Sequence, residues 1–212
     1  MSAANERDRV MALLEEDIVF GRLKPRERLV EIDIMERFGV RRHIARSALE
    51  ALEGKGLVQR KANRGAQVRD PGMREITELY MMRDMLHRAA CEQTPLPLSD
   101  HDAAALSGIQ ARHDAAVAAG DLGEAFHQNE HFHACLNSLC NNKVLEEALN
   151  FYNERTNIIR SVAFRSTETL QHSARQHHAI IDAAMAGDRA RFGDCVLDHI
   201  LGARHAYLND TI

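Results

Sequence analysis

The stretch that decides the fold runs from Arg41 to Arg69 and reads RRHIARSALEALEGKGLVQRKANRGAQVR. Its first part, residues 41–53, predicts a helix, since apolar side chains recur at the spacing of one helix face. These side chains are Ile44, Ala48, Leu49 and Leu52. Beyond two glycines, the short runs 57–61 and 66–69 flank an Asn-Arg-Gly tip, an arrangement that predicts a β-hairpin.

Two further helices are predicted upstream of this stretch. Residues 5–20 carry an apolar stripe, residues 31–38 form a shorter helical pattern, and each pattern stops at a glycine. Three helices followed by a basic hairpin predict a winged helix-turn-helix over residues 1–70. The segment Asp70-Pro71-Gly72 marks a change in composition and the predicted domain boundary.

The second domain, residues 71–212, shows helical patterns alone. Capping residues, glycines and prolines separate the helices, and no strand pattern interrupts them. The predicted helices cover residues 73–92, 100–119, 122–139, 143–162, 167–186 and 189–208. The predicted fold class is therefore mainly α, with the winged unit followed by an all-α antiparallel six-helix bundle.

Charge is distributed unevenly along the chain, whose formal net charge is −4. Residues 1–70 hold 15 Lys and Arg against 12 Asp and Glu, whereas residues 71–212 hold 12 against 19. Residues 37–69 carry nine basic side chains and two acidic ones. A basic patch within an otherwise acidic chain favours a nucleic-acid contact in the winged unit.

Location and cysteine usage narrow the class of protein. No apolar run approaches the roughly 18–20 residues of a membrane span, and the polar N-terminus lacks the apolar core of a secretory signal. We therefore expect a cytoplasmic protein that does not contact a membrane. The four cysteines include no C-x-x-C pair and are expected to be buried apolar residues.

The ordered motifs resemble the GntR superfamily of bacterial regulators, in its FadR branch, over nearly the whole chain. In the first half the resemblance rests on Gly21–Pro25, Leu29–Glu31, Phe38–Val40, Arg42, Arg46, Ala48–Leu49, Leu52, Gly56–Val58 and Asn63–Val68. The family usually has Gly where Arg26 stands, and Ser-Arg-Thr-Pro in place of residues 41–44. The resemblance implies a DNA-binding regulator. We expect these departures to change the operator sequence that the protein recognises and to leave the fold unchanged.

The N-terminal end of the predicted recognition helix is strongly basic. That end enters the major groove in winged helix-turn-helix proteins, where arginine forks fit guanine edges or phosphates. The resemblance implies that Arg42 and Arg46 contact bases or phosphates and that Arg64, at the wing tip, reaches the minor groove or the backbone. A solvated surface role fits Arg41 and His43 equally well. The candidate DNA contacts are Arg41, Arg42, His43, Arg46, Arg64 and Gly65.

The resemblance also implies a metal site in the second domain. Asn129 and His133 lie four residues apart and so share a helix face. The last two helices supply His177 and His199, with His177 preferred to His178 by its register in the family pattern. Three imidazoles and an oxygen suit Zn²⁺, or Ni²⁺ as another late first-row ion. The family more often has a carboxylate at the first position, so a neutral Asn is expected to lower the affinity.

Other interpretations of the histidines stay open. His127 and His131 have the same spacing as the first pair but point about 160° away around the helix, so we expect them to face solvent. A histidine in a helical bundle is also commonly a hydrogen-bonded structural residue.

A cation is needed if the pocket is to hold an acid. Arg83 matches an arginine of the family's first effector-domain helix, and Arg160 is a second candidate for effector binding; a surface role is the alternative for both. The family usually has Glu where His87 stands, which changes the edge of the pocket.

These features predict a ligand-responsive transcription regulator, a repressor, that has no catalytic residues. We expect a homodimer on a pseudo-palindromic DNA operator, controlled by a small carboxylate in a metal-containing pocket. A metal-dependent hydrolase is one alternative, because three histidines with an open position can activate water, although no general base is evident. A direct metal sensor is another.

Overall fold

The computed structural model describes residues 3–61, 65–160 and 167–211. Its first elements are α1 (Ala3–Val19), β1 (Arg28–Leu29), α2 (Glu31–Phe38), α3 (Arg42–Gly54), β2 (Val58–Lys61) and β3 (Gly65–Val68). The strands form one antiparallel sheet in the order β1-β3-β2, in which Val58 lies opposite Val68. The predicted winged helix-turn-helix is confirmed.

The core of this unit lies between α1, α3 and the sheet. All four apolar side chains predicted for the inner face of α3 are buried. One stripe of α1 adds Val10, Leu14 and Ile18 to the same cluster. Burial of side chains of this size contributes about 1.5–3 kcal/mol each, so the helical periodicity of α3 and its packing favour the same structure.

Strand β1 was not predicted, because two residues are too few for an alternating pattern. It pairs with β3 at the point where β3 begins. Gly65 has a φ of +76° there, and a Cβ atom on it would lie 2.7 Å from the carbonyl oxygen of Leu29. Glycine therefore permits both the backbone conformation and the close approach of the two strands.

The second unit contains helices alone in the residues that the structure describes. They are α4 (Met73–Gln93), α5 (Asp100–Ala119), α6 (Leu122–Ser138), α7 (Lys143–Arg155), α8 (Asn157–Arg160), α9 (Thr167–Ala186) and α10 (Arg189–Thr211). Ser99, Asp121 and Asn142 cap α5, α6 and α7 through their side chains, as helix-capping residues of these types do. No helix in the described ranges is long and apolar enough to cross a membrane.

One predicted helix, residues 143–162, is divided in the structure. It stops at Arg155, and α8 starts after Thr156, whose N–H and hydroxyl both donate to the Asn153 carbonyl, at 3.1 and 2.9 Å. The Thr156 hydroxyl also accepts a hydrogen bond from Arg83 at 2.8 Å. This contact from α4 is invisible to local periodicity. Residues 161–162 lie outside the described residues.

The winged unit and the helical unit contribute side chains to the same apolar core. Ile158 and Ile159 of α8 and Tyr80 of α4 belong to the same buried cluster as the core of the winged unit. Nearby, Val19 of α1 packs in a cluster that includes Phe126 of α6. A displacement in the helical unit therefore acts directly on α1, because packed interiors transmit strain.

Candidate metal centre and nucleic-acid interface

Three histidines from three helices meet inside the helical unit. The Nε2 atom of His199, on α10, lies 3.1 Å from that of His177, on α9, and 3.2 Å from that of His133, on α6. One ligand nitrogen of each lies within 4.8 Å of the others. Nitrogens bound to one tetrahedral ion at about 2.0–2.1 Å lie roughly 3.3 Å apart, so the spacing fits a single shared cation.

Two glutamines determine which ring nitrogens face the centre of the cluster. The amide oxygen of Gln110 lies 2.7 Å from His177 Nδ1, and that of Gln176 lies 3.1 Å from His199 Nδ1. Because an amide oxygen only accepts hydrogen bonds, each Nδ1 carries the proton and each Nε2 presents a lone pair. Lone pairs 3.1 Å apart repel unless a cation or a proton lies between them. Polar partners of this kind also accompany metal-binding histidines.

Burial keeps the three rings neutral. It lowers the pKa of His133 and His177 well below the usual range, and the charge of His199 acts in the same direction. Burial, followed by the charge of Arg160, lowers the pKa of His199 to about 3. A shared proton is therefore disfavoured at neutral pH, and neutral imidazole is the form that binds a metal. The donor set fits a divalent cation of the zinc type.

Asn129 lies one turn before His133 on α6 and is buried. With His133 and His199 it lines a cavity of about 40 Å³. Its amide nitrogen donates to the Glu130 carboxylate at 3.3 Å. The amide oxygen of Asn129 is the atom of this side chain that can bind a cation.

Arg83 and Arg160 line the same cavity, and both are buried. Arg83 donates to two neutral oxygens, Thr156 Oγ1 at 2.8 Å and Asn153 Oδ1 at 3.2 Å. Arg160 donates to the Glu130 carboxylate at 2.5 Å. Among the residues that the structure describes, these two buried guanidinium groups have one carboxylate partner between them, which leaves an excess of positive charge at the cavity wall.

The remaining histidines named in the sequence lie elsewhere. His178 is exposed, with Nε2 2.9 Å from the carboxylate of Asp114, and does not join the cluster. His131 is exposed. The His127 side chain is partly exposed, and its Nε2 lies 3.0 Å from Glu16 of α1.

Sequence reasoning missed the polar partners of the predicted ligands. Gln176 directly precedes His177, and Glu130 directly follows Asn129. Their position next to a predicted ligand in the sequence is the one feature that could have indicated these two partners. Gln110 lies on α5, far along the chain, and reaches His177 only because α5 packs against α9. No sequence pattern indicates that contact.

The candidate DNA contacts of the recognition helix all lie exposed at the N-terminal end of α3: Arg41, Arg42, His43 and Arg46. Arg42 Nε lies 3.6 Å from Glu31, and Arg46 Nε lies 3.3 Å from Glu50. Exposed pairs of this kind contribute about 0–1 kcal/mol. The guanidinium groups are therefore free to exchange these partners for phosphates or base edges.

The wing lies beside this surface. Arg60 of β2 contacts Glu50 of α3 at 2.8 Å, which connects the hairpin to the recognition helix. Gly65 is the first residue of β3. Arg64, at the predicted tip, lies outside the described residues.

A basic recognition helix and wing, joined to a helical unit, define the class of winged helix-turn-helix transcription regulators. Residues 6–68 match the family model of bacterial regulatory proteins, gntR family, and residues 78–202 match that of the FCD domain. The chain belongs to the GntR family of bacterial transcription regulators, in the group that carries an FCD domain. Its relatives are regulators and not enzymes.

Individual relatives agree with this assignment. A GntR transcriptional regulator from Rhodococcus sp. RHA1 superposes with a TM-score of 0.77 at 26% identity, over 97% of this chain and 98% of that one. The HTH-type transcriptional regulator YdhC of Bacillus subtilis is 24% identical, over 88% of this chain and 84% of its own. The HTH-type transcriptional repressor RspR of Escherichia coli is 22% identical, over 88% and 80%.

Proposed function

We propose that this protein is a transcriptional repressor that binds one divalent metal ion and responds to a small carboxylate. The observation that carries the proposal is the convergence of the Nε2 atoms of His133, His177 and His199, beside two buried arginines. The sign of regulation follows RspR, the relative that is named a repressor. In this proposal residues 1–70 bind DNA in the cytoplasm, and residues 71–212 bind the metal and the effector.

His133, His177 and His199 would hold the ion, with the amide oxygen of Asn129 as a further ligand. We propose Zn²⁺, with Ni²⁺ as the alternative, because imidazole suits both ions. When bound, the ion supplies Lewis-acid positions for carboxylate oxygens. All four protein ligands are neutral, so an anion is needed to balance the charge of the ion.

Arg83 and Arg160 would bind the carboxylate from the other side of the cavity. Arginine suits this role since its planar fork binds a carboxylate with two parallel hydrogen bonds. Both side chains are buried, where such contacts are screened least by water. Arg83 already has its guanidinium oriented by two neutral oxygens, so binding an anion costs it little rotational freedom.

Glu130 provides a route from this cavity to the DNA-binding unit. An anion on Arg160 competes with Glu130 for the same guanidinium. Glu130 also lines a second cavity, of about 300 Å³, together with Glu15 and Lys55. Lys55 follows α3 directly and donates to Glu15 of α1 at 2.8 Å. Release of Glu130 would change the charges beside this contact and so favour another orientation of the winged unit.

A direct metal sensor is the competing function. It uses the same histidines but assigns no role to the buried arginines. It therefore predicts that DNA affinity follows metal content and is insensitive to carboxylates. The hydrolase alternative has no support, because the family consists of transcription regulators.

We expect small carboxylates to change the affinity of the metal-loaded protein for its operator by about 5–150-fold. The operator would first be selected from random duplex DNA by the full-length protein. Fluorescence anisotropy would then be followed with the protein Zn²⁺-loaded or metal-depleted, across a set of aliphatic carboxylates. A metal-dependent response to carboxylate supports the proposal. A response to metal that no carboxylate alters would establish the sensor instead.

We further propose that the protein is a homodimer, because one recognition helix serves one half-site of a pseudo-palindromic operator. The helical unit would supply most of the contact. Large apolar side chains remain exposed there, among them Met85 on α4 and Phe151 on α7.

Light scattering should give a mass of twice the chain mass, and the double variant Met85→Glu, Phe151→Glu should shift the measured mass towards that of a single chain. Met185→Glu, on α9, is the matched control. A wild-type monomer at micromolar concentration that binds one half-site tightly would contradict the proposal.

A further inference from the structure

The hydrogen bonds of Gln110 extend beyond His177, towards the surface of α5. Its amide oxygen lies 2.7 Å from His177 Nδ1, and its amide nitrogen donates to the Asp114 carboxylate at 2.7 Å. Gln110 Nε2 also lies 3.4 Å from His113 Nδ1, so both amide protons have an acceptor within reach. Gln110 is 1% exposed, whereas the side chain of Asp114 is 38% exposed. One buried amide thus connects a candidate metal ligand to a partly exposed carboxylate.

The contact between Gln110 and Asp114 follows from helical spacing. The two residues lie four positions apart on α5, where side chains share a face and a hydrogen bond between glutamine and aspartate is favourable. The packing of α5 against α9 places this face beside His177. The second oxygen of Asp114, Oδ2, lies 2.9 Å from Nε2 of His178, also on α9. Each carboxylate oxygen of Asp114 therefore has its own partner.

Asp114 decides which way the Gln110 amide points. The two ends of an amide have nearly the same shape, so the hydrogen-bond partners determine its orientation. A carboxylate only accepts hydrogen bonds, and reversal of the amide would bring the Gln110 oxygen against the Asp114 oxygen, where two acceptors repel. The charge-assisted contact with Asp114 therefore keeps the amide oxygen towards His177.

The orientation of the amide in turn fixes the tautomer of His177. With an oxygen facing it, Nδ1 carries the proton, and Nε2 keeps the lone pair that lies 3.1 Å from Nε2 of His199. A reversed amide would donate to Nδ1, and the proton would then be on Nε2, where it blocks metal binding. The hydrogen bond that one ring nitrogen makes generally determines which nitrogen is free to bind a metal.

We propose that Asp114 is a positioning residue for the metal centre, which it serves by holding His177, through Gln110, in the tautomer that binds a cation. This inference rests on the proposed function, which assigns His177 to the metal. His178 contacts the same carboxylate from α9 and supports it. A different role for Asp114, as a surface partner of His178 alone, predicts that its removal leaves His177 unchanged.

Asp114→Asn tests this role because it keeps the shape of the side chain and allows it either to donate or to accept. The Gln110 amide can then take both orientations, so His177 should populate both tautomers. Long-range ¹⁵N–¹H correlation spectra of the metal-free, full-length protein with ¹⁵N-labelled histidine report the tautomer, and His177→Ala identifies the His177 signals. Competition with a chromogenic chelator should show Zn²⁺ affinity reduced about tenfold, the lower end of the range for polar partners of metal ligands.

A reciprocal exchange of the two side chains provides the rescue. In the double variant Gln110→Glu, Asp114→Asn, the carboxylate at position 110 can only accept, and the amide at position 114 can donate to it. A single His177 tautomer should therefore return, and with it the Zn²⁺ affinity. Asp182→Asn, which removes an exposed carboxylate from α9, is the matched control and should change neither quantity. Thermal unfolding of each variant checks that it is folded.

The outcomes separate this inference from the proposed function. A single His177 tautomer with wild-type Zn²⁺ affinity in Asp114→Asn would overturn the role of Asp114. A folded double variant that keeps both tautomers would overturn it too, as would an equal loss of affinity in Asp182→Asn, since charge alone would then explain the effect. If the wild-type protein binds no Zn²⁺, the proposed function fails, but mixed tautomers in Asp114→Asn would still support the positioning of His177.

Discussion

Replacing His199 by alanine is expected to remove most of the bound metal, with a loss of affinity greater than about 100-fold. Changes to the polar partners of metal ligands cost about 10–100-fold, and removal of a ligand should exceed that. His133→Ala should act similarly, since its Nε2 lies 3.2 Å from that of His199. Elemental analysis after dialysis against a weak chelator gives the metal content of each variant.

The controls for this prediction use the same helices. His131→Ala should leave metal content unchanged, because His131 is exposed on another face of α6. Asn129→Asp should raise the affinity, since a carboxylate adds charge to a set of neutral ligands. Full metal occupancy in the His177→Ala, His199→Ala double variant would refute the site. Thermal unfolding of each variant checks folding, because the His177 ring stacks on Phe132 at 3.9 Å.

Replacing Arg46 by alanine is expected to weaken operator binding by about 1–3 kcal/mol if the side chain contacts a base. Its guanidinium is exposed on α3 and, within the described residues, pairs with the exposed Glu50, so it can reach DNA at little cost. If Arg46 contacts a phosphate instead, affinity should fall similarly on every sequence, and the salt dependence should decrease by about one ion. Quantitative footprinting of operator and random DNA at two salt concentrations distinguishes these results.

A matched control shows whether an effect of Arg46→Ala comes from the position of this side chain or from the loss of one positive charge. Arg7→Ala removes a partly exposed arginine from α1, where it pairs with its neighbour Asp8, and should leave operator binding nearly unchanged. If Arg46→Ala and Arg7→Ala behave alike in both affinity and salt dependence, the N-terminal end of α3 is not the recognition surface. Arg42→Ala should follow Arg46→Ala.

Most of the fold could be predicted because its signals are local. The apolar face of α3 recurs at helical spacing, and the helices of the second unit begin at residues such as Ser99 and Asp121 that cap them through their own side chains. A capping hydrogen bond spans three residues, so sequence alone contains it. Where local and tertiary preferences compete, the prediction differs from the structure, as at Thr156.

The candidate site also has one part that could be predicted from local sequence signals and one part that depends on tertiary contacts. The spacing of Asn129 and His133 on one helix follows from helical periodicity, and family register pointed to His177 rather than His178. The supporting contacts are of another kind. Gln110 orients His177 from a different helix, and Glu130 connects Arg160 to the cavity near Lys55; neither contact leaves a periodic or spaced pattern.

The sequence by itself determined the order of the elements, the basic recognition helix and the residue types that meet in the helical unit. Each of these depends on neighbours within a few positions along the chain. Only the tertiary structure decided which nitrogen of His177 faces the cluster and that Arg83 is buried against Thr156. These depend on the packing of α4, α5, α9 and α10, where burial makes each unpaired charge or polar atom costly enough to determine what the site can bind.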